Sequence, residues 1–200
     1  MFVAAVPPES VVEDLDEFLE PRRSAGRDAG LRWTRSEHYH LTLAFFESVP
    51  EYRLDELIER LHSTADRHLP IRLALRSGGA FPDPAAGRAL WAGVHAEAED
   101  LRQLDALSVG ARNAGSVSGA TVDGTRFRPH LTIARTSRPT DLIRWVNLLA
   151  GYSGPQWSVD RIELIESHLG QGPNGSPRYE TVETIAVAPP SIPPWSLGRR

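Results

Sequence analysis

The sequence contains no cysteine and no lysine. Without cysteine there is no disulfide framework, no thiolate metal ligand and no thiol nucleophile. Without lysine there is no amine nucleophile of the kind used by nucleotidyl-transferring ligases. All 22 basic side chains are arginine. Any cationic contact to phosphate therefore comes from a planar guanidinium, which grips phosphate oxygens in pairs. No run of apolar residues is long enough to cross a bilayer. The first residues lack the basic region, apolar core and small-residue cleavage site of a secretory signal. The expectation is a cytoplasmic protein with no membrane attachment. Net charge is only −4, so the surface as a whole does not attract polyanions. Hydrophobic content of 40% and charged content of 24% are ordinary for a globular chain. Two hundred residues suffice for one medium domain or two small lobes.

What is present is a repeated tetrad. His40-Leu41-Thr42-Leu43 is matched by His130-Leu131-Thr132-Ile133. With the alanine that follows each, the two words agree at four of five positions, in a chain with seven histidines. Apolar, β-branched and aromatic neighbours mark both as strands. On a strand, residues i and i+2 share a face. His40 and Thr42 then face one way while Leu41 and Leu43 enter a core, and the second tetrad repeats this. Histidine, with an ordinary pKa of about 6.5, exchanges protons near neutrality. Two such histidines can divide the work of general acid and general base. Each threonine hydroxyl can donate a hydrogen bond to an anionic oxygen between them. The set suits displacement at phosphorus without a metal or a covalent intermediate.

The rest of the chain alternates strands and helices. Residues 2–6 read as a buried strand, and residues 9–19 as a helix with Val11, Leu15 and Leu19 at helical spacing. Residues 21–30 read as a polar loop. A helix of about 18 residues follows Pro50, with Leu54, Leu57, Ile58 and Leu61 as its apolar stripe. His62 and His68 read as solvated. Strands are expected over residues 71–76 and 90–95, with His95 structural, and a helix over 98–114. The Gly/Ser/Ala-rich residues 115–124 read as a mobile loop bordering the second tetrad. Residues 139–150 read as a helix, and 157–167 and 178–187 as the strands of a hairpin. The expected domain is residues 1–188. Residues 189–200, rich in proline, are expected to be a disordered tail. Each half of the sequence carries one tetrad strand, which points to a duplicated α+β unit.

At these residues the chain resembles the 2H phosphoesterase superfamily, named for its two His-x-Thr/Ser-x motifs. It is most similar to the RNA 2′,3′-cyclic phosphodiesterases, also described as 2′-5′ RNA ligase-like. Further segments carry the resemblance: Phe2-Val3-Ala4-Ala5-Val6-Pro7, Leu31-Arg32-Trp33, Ala80-Phe81-Pro82 and Leu90-Trp91-Ala92-Gly93-Val94. Phe127-Arg128-Pro129-His130 through Arg135, and Ser167-His168-Leu169-Gly170 followed by Tyr179-Glu180, complete it. The resemblance implies an α+β fold of two pseudo-symmetric lobes, with antiparallel sheets flanking a central cleft and helices outside. It implies hydrolysis of a 2′,3′-cyclic phosphate at an RNA or nucleotide end to a 2′-phosphate, by a monomer without cofactor or metal. His40 would be the proton donor and His130 the proton acceptor. Thr42 and Thr132 would hold phosphate oxygens.

Three more residues are candidate substrate contacts. Arg128 shares parity with His130. Arg135 follows the second motif as in the family, although strict alternation puts it on the opposite face unless the strand bulges. Phe46 shares parity with His40 and is a candidate platform for a base. The chain departs from the family after the first motif, where Ala44 replaces a basic residue and Glu47 a glycine. Ser137 stands where a second arginine is usual. Three alternatives remain. A zinc hydrolase would need a ligand cluster that the spacing does not show. A non-catalytic nucleotide- or RNA-binding module would not need two titrating groups. A 2′–5′ phosphodiesterase or 2′–5′ RNA ligase would use the same motifs.

Overall fold

The computed structural model describes residues 1–188; the expected tail lies outside the described residues. In chain order the elements are β1 (Phe2–Ala5), α1 (Glu9–Leu19), α2 (Arg23–Asp28), β2 (Arg32–Trp33), β3 (Leu41–Ser48), α3 (Leu54–Ala65), β4 (Ile71–Phe81), β5 (Gly87–His95), α4 (Ala98–Val117), β6 (Thr121–Val122), β7 (His130–Thr140), α5 (Ile143–Leu149), β8 (Ser153–Val159), β9 (Arg161–His168) and β10 (Arg178–Ala186). No described helix is long and apolar enough to cross a membrane.

The sheet order is β10-β9-β1-β3-β7-β5-β4-β8, with β2 on β7 and β6 on β3. All pairings are antiparallel. The two tetrad strands sit at the middle and touch through one pair, Leu41 opposite Leu131. Three strands flank β3 on one side and three flank β7 on the other. The lobes are thus related by a pseudo-two-fold axis between Leu41 and Leu131. They are not the two halves of the sequence. β9 and β10, from the end of the described chain, complete the lobe of the first tetrad. β4 and β5, from its first half, complete the lobe of the second. Antiparallel pairing lets the chain pass between lobes without a long crossover helix in one sheet.

The helices cover the outer faces. α3 and α4 pack together, with α4 against β3 and α3 against β10. α1 lies on β8, and α5 on β4 and β5. The stripe Val11, Leu15 and Leu19 is buried, as is Leu57 with Leu61. α3 is shorter than expected because its first turn, Glu51–Arg53, is a 3-10 helix. Residues 21–30 are not a loop: Glu20–Arg22 is a 3-10 helix and α2 follows. Gly26 sits under the Trp33 indole, where a Cβ would collide with the ring. That glycine is there for packing, although it reads as a breaker.

The same holds over residues 115–124. α4 runs on to Val117, and Gly115 lies against the Phe46 ring where a Cβ would not fit. β7 extends to Thr140, through Pro139, so α5 starts later than expected. The strand expected over 157–167 is two strands, β8 and β9, parted at Asp160. His68 is buried and hydrogen-bonded to Gln103 (2.9 Å), not solvated.

Candidate active site

The single β3–β7 pair sets the geometry. One residue to either side, its register puts His40 opposite Thr132 and Thr42 opposite His130. Leu41 and Leu131 point into the core. The His and Thr side chains line a cleft of about 680 Å³ on the other face.

Each tetrad then bulges at its fourth residue. On β3 the partners run Ala4–Thr42, then Val3–Ala44, leaving Leu43 unpaired. On β7 they run Trp91–Thr132, then Leu90–Ala134, leaving Ile133 unpaired. An extra residue reverses the alternation beyond it. Ala44 and Ala134 become core, and Phe45 and Arg135 turn into the cleft. Phe46 is therefore not a cleft residue: it is fully buried, against α4. Phe45, 44% exposed, takes the place expected of it. Arg135 lines the cleft for the same reason. Arg128 does not line it. Its guanidinium lies 6.0 Å from the centre of the Phe81 ring.

Both imidazoles are held by backbone. The Nδ1–H of His40 donates to the carbonyl of His38 (2.7 Å). The Nδ1–H of His130 donates to the carbonyl of Arg128 (2.6 Å). A carbonyl only accepts, so Nδ1 carries the proton and Nε2 is the exchanging nitrogen in each ring. Aromatic rings fix the planes. Phe2 stacks on His40 at 4.7 Å, and Tyr179 meets it edge-on at 5.6 Å. Phe81 meets His130 edge-on at 4.9 Å, and Trp91 lies at 6.1 Å.

Burial lowers both pKa values. For His40 the value falls from 6.5 to about 4: burial dominates, and Arg135, His130 and His38 oppose a further positive charge. The hydrogen bond to the His38 carbonyl works the other way and is outweighed. His130 is lowered by burial and by Arg135, against the pull of its own carbonyl partner. Both are therefore mostly neutral at pH 7. Among the described residues, no three His, Cys, Asp or Glu side chains gather as a metal-binding group.

Among the cleft residues that sequence reasoning missed are Phe2, His38, Phe45 and Tyr179. His38 had a signal, the i, i+2 parity with His40. Phe45 had none, because a bulge is not visible in residue alternation. Phe2 and Tyr179 reach the site only through the strand order, β1 beside β3 and β10 beyond β9.

Fold and cleft together define a two-lobed protein with one imidazole and one hydroxyl from each lobe facing a shared cavity. The model of the 2′-5′ RNA ligase superfamily matches residues 7–171. The chain belongs to that superfamily. It is similar to the RNA 2′,3′-cyclic phosphodiesterase of Geobacillus stearothermophilus, 37% identical over 158 residues. That match covers 78% of this chain, which spans 47% of the relative's length. The RNA 2′,3′-cyclic phosphodiesterase of Aquifex aeolicus is 30% identical over 155 residues, 76% of this chain and 79% of that one. Among solved structures, TT0787 of Thermus thermophilus superposes with a TM-score of 0.71 at 27% identity, covering 93% of this chain and 96% of that one. E. coli LigT complexed with 3′-AMP shares the fold, with a TM-score of 0.69 at 21% identity over 93% and 96% of the two chains.

Proposed function

We propose that this protein hydrolyses the 2′,3′-cyclic phosphate of an RNA or nucleotide end to a 2′-phosphomonoester, with His40 and His130 as general acid and base. The observation that carries this reading is the pair of imidazoles on facing strands, each with Nδ1 tied to a carbonyl and Nε2 left for exchange. The similarity to named RNA 2′,3′-cyclic phosphodiesterases supports the substrate. His130 Nε2 takes a proton from water as the water oxygen bonds to phosphorus. The bond from phosphorus to the 3′-oxygen breaks, and His40 Nε2–H protonates that oxygen. The 2′-ester remains. Thr42 and Thr132 donate hydrogen bonds to the non-bridging oxygens, and Arg135 adds positive potential. Phe45 offers a face on which the base stacks.

A donor with a pKa of about 4 is deprotonated at pH 7, so the charge of the bound substrate must raise it. A phosphate anion 4 Å from an imidazolium is worth about 4 kcal/mol at an effective dielectric constant of 20. At about 1.4 kcal/mol per unit, that raises the donor by up to about three units, toward neutrality. Binding the anion makes the acid.

A pH profile for 2′,3′-cyclic AMP tests this. The kcat/KM profile reports the free enzyme and kcat the complex. Both free imidazoles are lowered, so kcat/KM follows a bell with its maximum below pH 6.5. The kcat maximum lies at least about one unit higher. A rate flat from pH 5 to 9 contradicts the two-histidine scheme.

A further inference from the structure

Tyr179 stands on β10, the outer strand of the first lobe, and its side chain lines the cleft. Its neighbours Arg178 and Glu180 project from the other face of the strand and pair with each other at 2.8 Å. The Tyr179 ring packs on three others: His38 at 4.6 Å, Phe2 at 5.2 Å and His40 at 5.6 Å. The second lobe shows what packing alone requires. There Phe81 meets His130 edge-on, with the planes 87° apart, as Tyr179 meets His40 at 84°. Phe81 has no hydroxyl and does not line the cleft. A phenyl ring therefore suffices to hold an imidazole, and the Tyr179 hydroxyl needs another explanation.

Two other tyrosines with shielded hydroxyls each donate to a carboxylate: Tyr39 to Asp16 (3.1 Å) and Tyr152 to Asp14 (2.8 Å). Among the described residues the Tyr179 hydroxyl has no such partner. It sits half-buried in the cleft wall. Burial raises its pKa, so it keeps its proton and remains a donor through the neutral range. Arg135 is the charged group that acts on it, as on His40 and His130. Phenol, imidazoles and guanidinium converge on one place.

We infer that the Tyr179 hydroxyl donates a hydrogen bond to a non-bridging oxygen of the reacting phosphate, beside Arg135, as a third hydroxyl after Thr42 and Thr132. The inference rests on the proposed hydrolysis and adds a donor on the His40 side alone, so the two lobes contribute unequally. A preset donor counts most where negative charge grows in the transition state.

Tyr179→Phe keeps the ring on His40 and removes only the hydroxyl. The thermal midpoint stays at the parent's value. The kcat/KM for 2′,3′-cyclic AMP falls by about 10- to 150-fold, the range for one hydrogen bond to a charged group. The two diastereomers of adenosine 2′,3′-cyclic phosphorothioate locate the contact. Each puts sulfur, a weak acceptor, in place of one non-bridging oxygen. The loss persists with one isomer and shrinks toward unity with the other, whose sulfur faces Tyr179. An equal loss with both isomers overturns the contact and leaves Tyr179 acting through His40. Parent rates in Tyr179→Phe overturn it too, since the ring alone then serves, as Phe81 does at His130. In both cases turnover by the unsubstituted protein keeps the hydrolytic reading. No turnover of 2′,3′-cyclic AMP by the unsubstituted protein overturns that reading and the contact with it.

Discussion

Replacing His40 or His130 by Ala lowers kcat/KM for a 2′,3′-cyclic phosphate by at least about 10²-fold, the lower end for a lost general acid or base. Because the two act in one transition state, the double variant costs little more than the worse single one. Neither change touches the core, since both side chains face the cleft while Leu41 and Leu131 fill the other side. Thermal midpoints therefore stay close to that of the parent. The two variants differ in a way that assigns the roles. An aryl phosphodiester has a leaving group that needs no proton. On that substrate the loss in His40→Ala shrinks toward unity, while the loss in His130→Ala persists. The reverse pattern would make His40 the base, and a near-normal rate in either variant on the cyclic substrate would remove that residue from the mechanism.

Phe45 and Phe46 should respond in opposite ways. Phe46 is fully buried, with its ring closing on α4 at Gly115. Truncation to Ala leaves a cavity and costs about 3–5 kcal/mol. That is a large share of a typical total of about 5–15 kcal/mol. Urea unfolding reads this as a lower midpoint, with the kcat/KM of the folded fraction retained. Phe45→Ala leaves the midpoint almost unchanged. It loses a stacking face worth about 1–3 kcal/mol, or about 5- to 150-fold in KM. If instead Phe46→Ala is stable and binds poorly, the bulge at Leu43 is absent and strict alternation holds along β3.

These two residues show where the sequence is readable. The tetrads are legible because a period of two places His40 with Thr42 and His130 with Thr132, and nothing between them disturbs it. The bulge at the fourth residue is not legible, since it is a property of the neighbouring strand's register and not of β3 or β7 alone. It moves the aromatic contact from Phe46 to Phe45 and brings Arg135 into the cleft. Gly26 and Gly115 read as breakers because a glycine in a helix looks the same whether it permits a turn or a close ring contact. The pairing of β9 and β10 with the first lobe, and of β4 and β5 with the second, is a long-range arrangement that no local pattern encodes. The supporting rings of Phe2, Tyr179 and Phe81 are invisible as site residues for that reason.

The most direct measurement is turnover of 2′,3′-cyclic AMP in excess EDTA, with the position of the product phosphate assigned by ³¹P NMR. The account requires a 2′-phosphate, formed at an undiminished rate, because the 3′-oxygen leaves with a proton from an imidazole. A 3′-phosphate would mean that the other ester bond breaks, and activity abolished by the chelator would mean that a metal and not the histidine pair drives the reaction.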